Sequence, residues 1–285
     1  MKVHPCCKDC LLEQGKRIFD VLRFDDLEKG VHLRTIGKFI DQNFSEDKIT
    51  AELGTEMHRE IKRITNKDPY LAEKEWSNHV AMELLEHASA LIENSIDPLY
   101  QSFKIAIAGN LLDFGTYEVD ADLNLAGALS DDFVIDDFEK VKRRIRRARK
   151  VLYLCDNAGE IVFDRLCIEE IKKLGPKVTA VVKSGPIVND ATMRDAQAAG
   201  LDEVCLVMES GTDSVGVNLR ESSKEFIDEL NSSDIIIAKG QGHYETMEDI
   251  ELPVVFLLKA KCKAVASELG VKQKSSVVML GHSRR

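Results

Sequence analysis

The spacing of hydrophobic positions along this chain changes near residue 150. Before that point, apolar residues recur at i, i+3 and i+4 in segments 10–22, 33–42, 46–63 and 78–93, with polar faces between them, which predicts amphipathic helices. The prolines there stand at Pro5, Pro69 and Pro98, where helices begin or turn, so Asp68-Pro69-Tyr70 reads as a loop between helices. From Val151 onward, short β-branched runs appear at 151–155, 178–182, 203–207, 235–238, 254–257 and 277–280. Helical stretches separate most of them, notably 161–174, 191–199, 222–230 and 261–269. Strands alternating with helices imply right-handed crossovers and a parallel sheet covered on both faces. The expected fold is α/β: a helical domain over residues 1–148, then a Rossmann-like parallel-sheet domain over 149–285.

Composition narrows the partners. A 285-residue chain with 44% apolar residues can build a substantial core. A net charge of −10 argues against a general nucleic-acid binder. One basic run, KRRIRRARK over 142–150, points the other way, but its Ile145 and Ala148 fall at helical spacing, so it reads as the solvated face of a helix. No apolar run approaches the ~20 residues that cross a bilayer, and MKVHPCCKDC lacks a signal-peptide core. The seven cysteines are odd in number and scattered, unlike a secreted disulfide framework. The expectation is a cytoplasmic protein with neither membrane nor nucleic-acid partner, able to form homo-oligomers.

Candidate chemistry gathers where the strands are expected to end, because ligands of open parallel sheets collect at the carboxyl ends of the strands. The first run is followed by Cys155-Asp156-Asn157-Ala158-Gly159-Glu160, the second by Lys183-Ser184-Gly185-Pro186-Ile187-Val188-Asn189-Asp190, and the fourth by Lys239-Gly240-Gln241-Gly242-His243-Tyr244-Glu245. Asp156, Asn157 and Asp190 offer two carboxylates and a carboxamide oxygen, donors that suit Mg²⁺ or Mn²⁺. Lys239 could neutralise a phosphate, and Gly240 and Gly242 would let backbone N–H groups approach it. Each motif alone has a structural alternative: Asp156-Asn157 and Asn189-Asp190 could be helix caps, and Lys239-Gly240 an ordinary turn. A dinucleotide loop, a Walker-type phosphate loop, a G-x-S-x-G elbow and an Asp-x-Asp nucleophile after the first run are all missing.

The strings CDNAGEIVFD (155–164), PIVNDAT (186–192) and AKGQG (238–242) resemble the metal-dependent damage-control phosphatases, formerly the domain-of-unknown-function-89 family. The likeness extends to GNLLDF at 109–114 and to Asp68-Pro69-Tyr70, and Cys6, Cys7 and Cys10 look like the microbial branch. The resemblance implies that Asp156, Asn157 and Asp190 bind the metal and Lys239 the phosphate, that Glu160 contacts substrate, and that Asn110 and Asp113 form the helical edge of the site. It also implies hydrolysis of phosphate monoesters of small metabolites, sugar phosphates or damaged phosphometabolites, with Mn²⁺, Ni²⁺, Co²⁺ or Mg²⁺. His243-Tyr244 departs from the Asn-Phe of relatives, which bears on substrate preference.

A metal-bound water, or Asp156 as nucleophile, could attack phosphorus. Two alternatives carry different expectations. An S-adenosylmethionine-dependent methyltransferase would use the same sheet edge, and a non-catalytic metal or phosphometabolite binder would show binding without turnover. For Cys6, Cys7 and Cys10, a zinc or redox site, a disulfide and plain buried thiols are all open. Cys155 reads as a small strand residue, and His58, His79 and His87 as surface or packing residues.

Overall fold

The computed structural model describes residues 1–108 and 132–281. Asn110, Asp113 and the rest of the 109–114 string lie outside the described residues.

The chain begins with helices α1 (Cys7–Val21), α2 (Asp26–Asn43), α3 (Thr50–Thr65), α4 (Leu71–Glu83), α5 (Leu85–Glu93) and α6 (Pro98–Ala108). Their ends follow local chemistry. The Asp25 side chain accepts from Glu28 N and Glu28 reaches back to Asp25 N, closing a capping box on α2. Helix α3 stops at Asn66 in the left-handed region (φ 51°). The Asp68 carboxylate then accepts from Tyr70 N at 3.0 Å, an Asx turn that makes 68–70 the interhelical loop the sequence predicts. The single helix expected over 78–93 is two, broken at Leu84.

A seven-stranded sheet follows, in the order β1-β7-β6-β5-β2-β3-β4. Its strands are β1 (Ile135–Asp136), β2 (Lys150–Leu154), β3 (Lys177–Val182), β4 (Leu206–Glu209), β5 (Ile235–Lys239), β6 (Val254–Lys259) and β7 (Ser276–Leu280). All neighbours are parallel except β6 and β7. β1 was too short to show as a β-branched run. The run expected at 203–207 starts later, because residues Leu201–Glu203 close a 3₁₀ turn. Between the strands lie α7 (Phe138–Ile145), α8 (Glu160–Lys173), α9 (Met193–Ala198), α10 (Lys224–Ser232), α11 (Gly240–Met247) and α12 (Lys263–Glu268). Helix α7 buries Phe138, Val141 and Ile145, while Arg143 and, past its end, Arg146, Arg147, Arg149 and Lys150 are exposed, the solvated face expected of the basic run; Lys142 is half-buried against Asp97.

Side chains alternate across the strands. Val151 and Tyr153 join a core with Phe103 and Phe163, while Leu152 and Leu154 join a second core with Leu11, Ile36 and Met57. Elements from either side of residue 148 therefore share both cores, and β1 pairs with β7. Among the described residues no helix is long and apolar enough to cross a membrane. The chain leaves β2 towards β3 on one side and returns to β5 on the other. The strand order reverses there, and in such sheets the crevice at that reversal takes the ligand.

Candidate active site

Asp156 follows β2, Asp190 follows β3 and Gly240 follows β5, all at one sheet edge. Backbone bonds lace the first two loops together. Ala191 N donates to Asp156 O at 2.8 Å, Ala158 N donates to Asn189 O at 2.9 Å, and Asn157 and Asp190 form an antiparallel bridge. Val188 holds φ at +46°, a conformation β-branched residues adopt only under constraint, and the turn it makes lets Asp190 N reach Ile187 O at 3.0 Å.

None of these motifs is merely a cap. Helix α8 is entered through Gly159 (φ +77°) without a side-chain cap, and Gly159 N donates to Asn78 Oδ1 at 2.7 Å. Helix α9 is capped by Thr192, whose N–H and hydroxyl both donate to Asp195 Oδ2. Asp156, Asn157 and Asp190 are thereby released from helix capping and left at the crevice.

Their electrostatics follow from burial. Asp156 and Asp190 both hold their protons more tightly than ordinary carboxyls: burial is the main cause for each, and the charge of Asp190 raises Asp156 further. Lys183, 3% exposed, partly offsets Asp190 from 3.7 Å while donating to Gly216 O at 2.6 Å. Lys74, buried beside Asp68, also lends Asp190 positive charge. Glu160 is likewise pushed up by burial, and its Oε1 accepts from Asn157 Nδ2 at 2.7 Å. That amide nitrogen also donates to Asp156 Oδ2 at 3.1 Å, so the carbonyl oxygen is the end of Asn157 left for a cation.

The donor set therefore fits a hard divalent cation: two carboxylates and a carboxamide oxygen gathered at one edge, with both carboxyls held above their ordinary range chiefly by desolvation. No three His, Cys, Asp or Glu side chains among the described residues are gathered to hold a metal, so the fit depends on Asn157 as a donor. A cavity of about 360 Å³ opens over the set, bordered by Asp156, Asn157, Asp190, Tyr70, Cys10 and Lys261. A larger one, about 610 Å³, lies against α4 and reaches Asp195 and Arg194 but neither Asp156 nor Asp190. We place the chemistry in the smaller cavity because both carboxylates open there.

The other predicted residues fall around this centre. Gly240 (φ +78°) packs so closely that a Cβ there would sit 1.9 Å from Asp156 Oδ2. Gly240→Ala is expected to displace that carboxylate and cut any Asp156-dependent activity about 100-fold, measured as kcat/KM, while the circular dichroism spectrum stays native. Lys239 is 1% exposed and spends its ammonium on Ala106 O (2.8 Å), Asp164 Oδ1 (2.7 Å) and Glu160 Oε2 (3.3 Å). Burial opposes its charge, but Asp164 and Glu160 outweigh that and keep it firmly protonated. Neither Lys239 nor Glu160 borders the cavity; both lie beneath it. His243 is buried and neutral, pushed down to about 3 chiefly by burial, and its Nδ1–H donates to Lys239 O at 2.6 Å.

Sequence reading alone did not single out Lys183, Lys261, Asn78 or the Asp164–Tyr153 pair (2.7 Å). Lys183 opens the string after the second β-branched run, but its residue type alone did not set it apart there; Lys261 carried no local signal. Cys6, Cys7 and Cys10 are free thiols on the cavity wall, where Cys262 joins them from the loop after β6. His58 is buried at the same wall and held neutral, pushed down to about 4 mainly by burial, whereas His79 is exposed.

An open, mostly parallel sheet with acidic residues at its strand-order reversal defines an α/β protein of the kind whose ligands gather at that crevice. A family model described as the damage-control phosphatase ARMT1-like domain matches residues 3–277, and the chain belongs to that family. It is 36% identical to an uncharacterised protein of Methanocaldococcus jannaschii, over 98% of this chain and 95% of that one. It is 35% identical to a damage-control phosphatase of Pyrococcus horikoshii, over 98% of both chains. A crystal structure of a DUF89 family protein from Pyrococcus horikoshii superposes with a TM-score of 0.90 at 34% identity, covering 99% of this chain and 100% of that one.

Proposed function

We propose that this protein is a metal-dependent phosphatase that hydrolyses phosphate monoesters of small metabolites, sugar phosphates or damaged phosphometabolites. The observation that carries the reading is that Asp156 and Asp190 meet at one sheet edge, on loops tied together by backbone bonds, with desolvation holding both above the ordinary carboxyl range. Membership of a family whose relatives include a named damage-control phosphatase supports the reaction class. Asp156, Asn157 and Asp190 would hold Mn²⁺, Ni²⁺, Co²⁺ or Mg²⁺, which supplies a Lewis acid for a phosphoryl oxygen. Glu160 orients Asn157 through its 2.7 Å bond, and Lys239 holds Glu160 in place from below. Tyr70 and the thiols of Cys6, Cys7, Cys10 and Cys262 line the cavity beside this donor set.

The test is turnover of p-nitrophenyl phosphate and a panel of sugar phosphates by purified protein, with each metal and with EDTA. The expected result is metal-dependent release of phosphate that EDTA removes. Failure with every substrate and metal, accompanied by saturable binding of S-adenosylmethionine, would hand the site to the methyltransferase alternative.

A further inference from the structure

Four of the seven thiols gather on the cavity wall: Cys6, Cys7 and Cys10 at the start of α1, and Cys262 in the loop after β6. Among the described residues no three of them are gathered to hold a metal, which leaves chemistry between pairs. Two of the four already have partners. Cys6 Sγ lies 3.0 Å from His4 Nδ1, and Cys7 is buried in the second core with its Sγ 3.9 Å from Thr50 Oγ1. Cys10 is the exposed member, and its thiol accepts a long bond, 3.7 Å, from the Gln14 amide.

Cys262 reaches the same wall from the other end of the chain, on a pinned loop. Gln241 Oε1 accepts from Lys261 N at 2.5 Å and from Cys262 N at 3.1 Å, and Gln273 donates to Lys261 O at 2.9 Å. Burial above all pushes the Cys262 thiol up, and the charges of Glu245 and Cys10 lie close enough to add to that. Cys10 and Cys262 are therefore neighbours on one wall, held by elements far apart in sequence. Gln241 belongs to α11, which begins at Gly240, so this loop is tied to the glycine turn that packs on Asp156. A covalent link at Cys262 would thus join α1 to the framework of the metal-binding edge.

We propose that Cys10 and Cys262 form a reversible disulfide that staples α1 to the loop after β6, narrows the crevice over Asp156, Asn157 and Asp190, and so switches the site off under oxidation. The effect on turnover rests on the phosphatase reading; the bond itself does not. The oxidant is a peroxide. The Cys10 thiolate attacks one peroxide oxygen, the O–O bond breaks, and the leaving hydroxide takes up a proton to become water. The Cys262 thiolate then attacks the sulfenic sulfur, forming the S–S bond and expelling the second water. Two thiols thereby give up two electrons and two protons to one hydrogen peroxide, and a dithiol returns them by exchange. Only the thiolate reacts, and burial raises both thiols, so oxidation quickens as pH rises.

The test treats the metal-free protein with hydrogen peroxide at pH 8 and maps its peptides. The expected product links Cys10 to Cys262, and the thiol titre in denaturant falls by two from the seven of the reduced chain. Closing so long a chain loop should raise the melting temperature by about 5 °C or more. Once Mn²⁺ is restored, turnover of p-nitrophenyl phosphate should be about tenfold below that of the reduced protein, the scale of a small misplacement at a site, and dithiothreitol should recover it. Cys10→Ser and Cys262→Ser, each compared with its own reduced form, should lose both responses, whereas Cys6→Ser keeps them. A different pairing in the peptide map, a titre that peroxide leaves unchanged, or a Cys10–Cys262 bond without effect on turnover overturns the proposal. If the reduced protein turns over no phosphate ester, the phosphatase reading fails separately. The peptide map and melting shift then still decide whether the staple forms, and calorimetric binding of inorganic phosphate, weakened by oxidation or not, decides whether it closes the site.

Discussion

Asp156→Asn and Asp190→Asn are each expected to lower phosphatase turnover by at least about 10³-fold, the scale on which preorganised electrostatic groups act, and to abolish the thermal shift produced by Mn²⁺. Metal at 100 times its dissociation constant stabilises a protein by about 2.7 kcal/mol, or roughly 5–10 °C in a domain of this size. The metal-free Asp156→Asn variant should not be less stable than wild type, because it removes a carboxylate whose charge is opposed by burial and by Asp190 while asparagine keeps the shape. Asp190→Asn also takes the counter-charge from Lys183 and is expected to be less stable.

The same pair makes the metal-free protein sensitive to pH, with a definite sign. Folding raises the proton affinity of both carboxyls, so the native state binds more protons than the unfolded one between their unfolded and folded pKa values. Stability is then fully present below about pH 4, the unfolded value, and is lost as pH rises through the folded values. Urea midpoints at pH 5 and pH 8 should fall for wild type with EDTA and change less for Asp156→Asn. A wild-type midpoint that rises over that range, with no difference from Asp156→Asn, would mean the pair is not strained.

The second large effect belongs to Lys239. Lys239→Met strips the counter-charge from Asp164, which is fully buried, and from Glu160, at 1% exposure. Breaking a buried pair from one side costs about 3–5 kcal/mol, a large part of a typical domain stability of about 5–15 kcal/mol. Asp164 is already stretched, since its Oδ2 has no hydrogen-bond partner among the described residues while Oδ1 serves both Tyr153 and Lys239. Adding Asp164→Leu to Lys239→Met should restore part of the lost stability, measured by urea denaturation, because the fully buried Asp164 carboxylate is gone and Glu160 alone is left facing Lys239's place. A single Lys239→Met variant as stable as wild type would refute the buried-pair account.

Much of the fold was legible because burial leaves a period in the sequence. Runs 151–155, 178–182, 235–238, 254–257 and 277–280 all coincide with strands, and the strings after three of them meet at one edge. Helices were found where amphipathic spacing was strong, as in α1 and α3. Two kinds of feature escaped. The pairing of β1 with β7 joins positions more than a hundred residues apart and leaves no local period in two residues. The antiparallel placement of β7 against β6 depends on how the chain turns between them, which composition does not record.

The candidate site divides in the same way. Asp156, Asn157 and Asp190 could be read as oxygen donors from residue type and position after strands. Their release from capping could not, since it required Thr192 to cap α9 and Gly159 to enter α8. Lys239 stood beside a glycine turn and looked like an anion clamp, but its last methylenes carry it under the sheet edge to Asp164.

What the sequence alone determined is the alternation of strands and helices and the chemistry carried at the strand ends, because both are encoded within a few residues of backbone. What only the tertiary structure decided is which charge faces which. Lys183 turns to Gly216, Lys239 to Asp164, and Lys261 to the cavity. Long side chains choose partners by three-dimensional distance, and Coulomb energy in a buried site depends on that distance rather than on separation along the chain.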